Sequence, residues 1–520
     1  MDAFNIAVLV IILSIVFILY KRATKNFGFF KKQGIKGPCP LPFIGNFYES
    51  FFKSTLVIDL ERKAKYGRIY GYFHGSTPEL SVADPVLLKK ILVKDFHKFT
   101  DRSKPPHHRT LKTTMFFLPG QEWKRIRNIC SPSFTSLKLK NGLPLARKCL
   151  NSVIDVLSNV CSSNDRDNCE IDCKKLFGAY SLDVIARSAF ATNIDTHKDP
   201  DNLFSKNLKG FFTVSFWRMF ILLAFPKIAA YFDITFTAPD SMDFFEEVVG
   251  KIIEDRRKNS GHYTDLLQQL MDAEYDSQRT LEMLQQEKTA GNRPPTKRQD
   301  SQEMNASERK LTEFEIFCQS FIFLLAGYET TSNLLTHAVY SLAIYPEYQQ
   351  RLFEEVEATL KHSELDYDTL HSMAYLEGVL FETLRLYSPL FRLDRLAVED
   401  FYDEETGITI PKDTPITIPI HAIHRDAEFF PNPEKFSPDR FLPENKASLV
   451  PYTWLPFGAG PRNCIGMRFA LLEAKLALAE IVKKYEFFPT DNTDVPLNHP
   501  TFQAVFSAKR VIVGIRERIK

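Results

Sequence analysis

One short stretch near the carboxyl end restricts this chain more than any global property: Phe457-Gly458-Ala459-Gly460-Pro461-Arg462-Asn463-Cys464-Ile465-Gly466. It is a glycine-rich loop that delivers one cysteine to the start of an amphipathic helical run from Gly466 to Tyr485. A thiolate at that place gains from the helix dipole and from backbone N–H donors. Glycines at 458, 460 and 466 permit tight turns and close approach of backbone to a flat ligand, while Arg462 supplies a cation for an anionic group. A lone cysteine beside a glycine turn is ordinarily just a buried residue. Ten residues in this pattern favour the reactive reading.

The amino terminus carries the second constraint. From Ala3 to Tyr20 only Asn5 and Ser14 are clearly polar, a run of about 18 residues that suffices for a helix across a hydrocarbon core. Lys21 to Lys36 then holds six basic residues and no acid, which orients the body to the cytosolic side. A cleaved signal peptide would need a basic segment before the apolar run and a small-residue site after it, and neither is present. The chain is therefore expected to comprise an anchor at 1–22, a basic and Pro-rich linker at 23–42 stiffened by Gly37-Pro38-Cys39-Pro40-Leu41-Pro42, and a catalytic domain at 43–520. The sequon at Asn305 is expected to be unmodified on that side of the membrane.

Length allows several domains, since 520 residues exceed the usual domain of roughly 100 to 200. A net charge of +2 excludes nucleic-acid binding by bulk charge, and eight scattered cysteines exclude a disulfide scaffold. The 45 phenylalanines fit either an aromatic core or a large apolar cavity.

Periodicity predicts an amphipathic helix over Thr55–Tyr66, strands at Ile69–His74 and Glu79–Ala83, and helices over Trp123–Ile129, Ala146–Cys161, Cys173–Ala191, Met242–Arg257 and Tyr263–Glu287. Gln286–Lys310 reads as an exposed loop. A capping box, Thr312 with Glu315, opens one helix of about 33 residues, roughly 50 Å long, ending before Pro346. Helices at 346–361 and 372–387, a strand pair around Ile408–Ile420, an irregular Pro-rich segment and strand-like Phe502–Gly514 complete the pattern.

The cysteine loop has the form Phe-x-x-Gly-x-Arg-x-Cys-x-Gly, matched at Phe457, Gly460, Arg462, Cys464 and Gly466, and with it the chain resembles the cytochrome P-450 haem-thiolate monooxygenases. The resemblance covers nearly the whole chain and is greatest to the animal microsomal drug-metabolising group. It implies a mainly α fold with small β-sheets (α+β), a long central helix over the haem, and haem b (iron protoporphyrin IX) as cofactor, with Cys464 on the iron. Ala326-Gly327-Tyr328-Glu329-Thr330-Thr331 looks like the oxygen-activation motif, with Glu329 and Thr330 as the acid and alcohol of a proton relay and Gly327 leaving room for O2. Glu382-Thr383-Leu384-Arg385 together with Arg440 implies a buried structural network. Trp123 and Arg127, one helical turn apart, and Arg102, Arg395 and Arg462 are implied around the haem propionates.

Basic residues at Lys124, Arg125, Lys138, Lys140, Arg147, Lys148, Arg468 and Lys475 could dock an acidic electron donor or form a solvated face. The substrate pocket is expected from 104–119, 211–225, 321–326, 388–393 and 501–506. Residues 210–225 fit a membrane-dipping surface equally well. The resemblance implies insertion of one atom of O2 into a small lipophilic substrate, electrons from an NADPH-dependent flavoprotein reductase, cytochrome b5 as an additional partner, contact with membrane lipid, and residence in the endoplasmic reticulum membrane. It implies no nucleic-acid partner. Two alternatives stay open at this point: a haem-thiolate isomerase or dehydratase acting on an oxygenated lipid, and a non-enzymatic haem sensor.

Overall fold

The computed structural model describes residues 3–103, 108–163, 169–200, 202–212, 215–224, 239–259, 265–273, 311–500 and 505–518, with scattered residues between 229 and 263. The loop expected over 286–310, its sequon, and the outer part of the helix expected over 263–287 lie outside these; residues 266–273 are helical.

The first helix, α1 (Ala3–Thr24), is apolar on every side and unburied, and its span Phe4–Thr24 has a mean hydropathy of 2.5. Such a helix is long and apolar enough to cross a hydrocarbon core. The expected free linker after it is a packed segment. Residues 26–37, including the short α2 (Phe29–Lys32), lie against the body: the rings of Phe27 and Phe30 sit 5.2 and 5.5 Å from that of Phe73, and Lys36 O accepts from Gly71 N–H. The lysines around Phe27 and Phe30 hide two aromatic residues that bury themselves.

Next come α3 (Thr55–Tyr66), capped by Ser54, and strands β1 (Ile69–His74) and β2 (Thr77–Val82). Helices α4 (Gly120–Cys130) and α5 (Ser136–Ser163) follow, then β3 (Glu170–Asp172) and α6 (Cys173–Phe190), whose Asp172 cap accepts from Lys174 and Lys175. The amphipathic helix α7 (Leu203–Phe212) and the largely apolar α8 (Phe216–Ala224) lead to α9 (Pro239–Lys258). The capping box forms as expected and starts α10 (Glu313–Ile344), of 32 residues, almost wholly buried beyond its first turn and packed most heavily on α6. Helices α11 (Pro346–Leu360), α12 (Ala374–Leu386) and α13 (Met467–Lys484) pack around its carboxyl half.

Two strands lie within the stretch 408–420, as expected, but they do not pair with each other. Strand β4 (Leu393–Leu396) is followed by a small hairpin of β5 (Phe401–Asp403) with β6 (Ile408–Ile410). Strand β7 (Pro415–Ile418) instead enters the first sheet, of order β1-β2-β7-β4, parallel to β2 and antiparallel to β4. Alternation shows that a segment is a strand but not which partner it meets. A third sheet joins β3 to β9 (Ile512–Glu517) and β8 (Tyr485–Phe488), so the carboxyl strand begins ten residues later than the sequence pattern suggested.

Candidate active site

The cysteine loop is held by its own backbone. Cys464 N–H donates to Phe457 O at 2.8 Å and Asn463 N–H to Gly460 O at 3.0 Å. Gly458 and Gly460 have φ of 69° and 73°, a region costly for residues with a Cβ. At Gly460 a Cβ would lie 1.8 Å from Leu92 O, so this glycine admits a neighbouring turn rather than a ligand. Arg127 grips the loop from α4, donating to Asn463 O at 2.9 Å and to Asn463 Oδ1 at 3.0 Å. It is thus bound to the loop backbone in addition to lining the cavity where a propionate was expected.

Cys464 lies on the wall of a cavity of about 1000 Å³, which Phe457, Arg102, Trp123, Thr330, Ile322, Phe323, Leu390 and Leu393 also line. Burial pushes its thiol upward, against the opposing pull of Gly466 N–H and Arg127. The helix-end effect expected from the sequence is present but smaller than desolvation. Among the described residues no group of three or more His, Cys, Asp or Glu could hold a bare metal ion. Cys464 can therefore be one ligand of a metal that brings its other ligands with it, as haem iron does.

Three arginines gather with too little counter-charge, Arg102 and Arg462 on the cavity wall and Arg395 near both. Arg395 is buried, donates to Asp394 O, and leaves Nε without a partner. Arg462, equally short of a partner at Nε, donates to Phe116 O and Leu118 O and lies over the Trp123 ring at 4.5 Å. Arg102 meets Asp394 at 3.3 Å, and its Nε is also unpaired. Desolvation first, and then Arg102, lower the guanidinium of Arg395 to about 9, and the same two causes lower Arg462 to about 9. Buried cations that repel one another call for an anion. The two carboxylates of a haem supply one, and these side chains fit it. Trp123 takes part as the surface beneath Arg462.

The helix α10 forms the opposite wall. Thr330 faces the cavity and donates its hydroxyl to Ala326 O. Glu329 turns elsewhere: Lys174 Nζ approaches it at 3.8 Å and Asn333 donates to it at 3.4 Å. Burial raises its carboxyl above the usual range, with Lys174 opposing. The two residues expected as a pair share no hydrogen bond in this structure. Gly327 also has a reason other than space for O2. A Cβ there would fall 2.7 Å from Ile185 Cδ1, so the glycine is needed for α10 to cross α6.

Glu382, Arg385 and Arg440 meet in one buried cluster. Arg385 Nε and Nη2 donate to the two oxygens of Glu382 at 2.7 and 2.8 Å, both side chains being fully buried, and Arg440 Nε reaches Glu382 at 3.4 Å. The remaining Arg385 donors go to the carbonyls of His424, Pro433 and Lys435. His424 was missed by sequence reasoning. Its Nε2 accepts from Leu455 N–H, so Nδ1 carries the proton given to Arg385 O at 3.0 Å. One ring thereby joins this network to the segment entering the cysteine loop. A lone histidine in a Pro-rich segment carries no such signal.

From the expected pocket segments, Met115, Phe116, Ile322, Phe323, Ala326, Pro389, Leu390 and Leu393 line the cavity. None of the described residues of 211–225 does. Phe211 instead packs on Phe321 at 5.6 Å, and Trp217 is 68% exposed. Residues 501–504 fall outside the described set, and Phe506 stacks on His499. Half of the basic cluster is neutralised: Arg125 pairs with Glu122 and Glu315, Lys140 with Asp368, Arg147 with Glu480, and buried Lys475 with Glu377. Lys124, Lys138, Lys148 and Arg468 stay exposed.

A family model described as Cytochrome P450 matches residues 35–514. Cytochrome P450 3A12 of Canis lupus familiaris is 36% identical over 509 residues, covering 96% of this chain and 95% of that protein. Cytochrome P450 3A2 of Rattus norvegicus is 36% identical over 521 residues, 99% and 97% of the two chains. Cytochrome P450 3A6 of Oryctolagus cuniculus is 37% identical over 506 residues, 95% and 94% of the two. With the cysteine loop, the arginine cluster and the α10 wall in these positions, the chain belongs to the cytochrome P450 family. It is a haem-thiolate monooxygenase with haem b as cofactor.

Proposed function

We propose that this monooxygenase inserts one oxygen atom into a small lipophilic substrate at the endoplasmic reticulum membrane, with its body on the cytosolic side. The observation that carries the reading is one cavity with Cys464 and Thr330 on its walls and an otherwise largely apolar lining. Cys464 would hold the iron of a bound haem and Arg102, Arg395 and Arg462 its carboxylates, and the haem would supply the activation of O2.

The chain's own residues do the rest. Ile322, Phe323, Leu390 and Leu393 exclude water and accept an apolar substrate. The Thr330 hydroxyl, bonded to Ala326 O, is a donor and acceptor held at the cavity wall. Glu329, whose carboxyl burial pushes upward, lies behind that wall as the acid of the pair. Transfer between them runs through a bridging water. Electrons come from an NADPH-dependent flavoprotein reductase that meets Lys124, Lys138, Lys148 and Arg468, a face that cytochrome b5 shares. The exposed Trp217 and Phe52, with Phe220 packed on Phe47 and Phe51, form the part of the body that dips into the membrane.

The test is turnover with purified reductase. Substrate-dependent NADPH consumption is expected, and Thr330→Ala should lower product formed per NADPH by roughly 10²-fold. Unchanged coupling in that variant would overturn the relay. A reduced carbon monoxide spectrum lacking the thiolate-type band in the unaltered protein would sink the whole reading.

A further inference from the structure

The packed segment after α1 leaves a second cavity, of about 440 Å³, lined by Lys31, Gly34, Ile35, Lys36, Gly37 and Tyr66. Its walls are fixed. Gly34 N–H donates to Lys31 O and Ile35 N–H to Phe30 O, Gly71 N–H reaches Lys36 O at 2.9 Å, and Asn26 donates to Ser76 O. Lys31 and Lys36 line this hollow, and Lys65, next in chain to the lining Tyr66, has its Nζ 5.4 Å from the centre of that ring. All three lysines are exposed, and none is in an ion pair among the described residues. The backbone N–H groups of Lys36 and Gly37 likewise donate to nothing among the described residues. Cations and free amides around a concavity are the chemistry of an anion site.

Position says which anion. The hollow begins seven residues beyond Thr24, the end of α1, no more than about 25 Å of chain even if fully extended. Part of that stretch is coiled into turns and α2. We infer that this cavity holds the phosphate of one anionic glycerophospholipid headgroup, gripped by Lys31, Lys36 and Lys65. The body would then be seated on the bilayer by a specific lipid as well as by its anchor. The inference rests on α1 lying in a membrane but not on the haem chemistry, and its test uses no turnover.

The full-length holoenzyme in neutral detergent is titrated calorimetrically with dihexanoyl phosphatidylserine, dihexanoyl phosphatidylcholine and inorganic phosphate, each separately. Saturable one-to-one binding of the anionic lipid is expected, with the zwitterionic lipid and inorganic phosphate much weaker. Each of Lys31→Gln, Lys36→Gln and Lys65→Gln should weaken it roughly fivefold. Lys25→Gln, which removes a basic residue outside the hollow, should leave it unchanged, and an unaltered carbon monoxide spectrum reports that every variant is folded. An equal loss in Lys25→Gln would overturn the site in favour of diffuse charge. Inorganic phosphate binding as tightly as the lipid would overturn the lipid assignment, and absence of saturable binding would overturn the proposal outright.

Discussion

Two sets of buried arginines lie in this molecule, and they differ in how their charge is answered. Arg385 is fully matched: a bidentate carboxylate from Glu382 and three carbonyls use its donors, with none left over. Arg102, Arg395 and Arg462 have one ion pair among them within the described residues, Arg102 with Asp394, each retains an unpaired Nε, and two of them are driven down to about 9 by burial and mutual repulsion. The first set is complete as a protein and so serves the fold. The second is complete only with a dianion, so it marks where a ligand belongs.

Breaking the matched set should have the largest effect. Arg385→Leu leaves buried Glu382 with only the longer Arg440 contact and the Ser437 N–H, a loss of about 3–5 kcal/mol; the expected result is little soluble holoenzyme and an early thermal transition. A stable, haem-loaded variant would show that the network is dispensable. Acid should come next. His424, neutral by burial and lowered to about 3, must be protonated below its ordinary value near 6.5, as must His337, also lowered to about 3. The unfolded chain binds those protons first, so the contribution is full above about pH 6.5 and is lost as pH falls toward 3. Urea midpoints measured from pH 7 to 4 should fall steadily, and His424→Gln should flatten part of the slope.

The unmatched set should behave in the opposite sense. Arg395→Leu with Arg462→Leu is expected to speed haem loss to a scavenging protein at least tenfold, while the haem-free chain melts no earlier, since two repelling buried charges have gone. If the haem-free chain were strongly destabilised, the contrast between the sets would fail. The smallest change belongs to Arg127→Gln, which removes two bonds to Asn463 and should cost about 1–3 kcal/mol, read as a shift in the thermal midpoint of the holoenzyme.

What could be read in advance follows the range of the forces involved. The capping box at Thr312, the strand Ile69–His74 and the helix Thr55–Tyr66 depend on neighbours in sequence and appear at those positions. Cys464, Thr330 and the Glu382–Arg385 pair were legible because their motifs are contiguous. Partner choice was not. Nothing local says that β7 pairs with β2 rather than β6, that Glu329 turns to Lys174, that Phe211 packs on Phe321, or that Phe27 and Phe30 dock on Phe73. Each of those is decided by surfaces brought together only after folding.

The contact between Gly460 and the Leu92 carbonyl has a consequence for how such a chain can vary. It places the loop bearing Cys464 directly on main chain of another element, with no room for an intervening side chain. The reactive sulfur is therefore referenced to a backbone datum, as a machine part is located on a milled face. Side chains along the cavity, such as Ile322, Phe323 and Leu390, can be exchanged without moving that datum. The shape that selects a substrate and the position that governs the chemistry are in this way separate design variables.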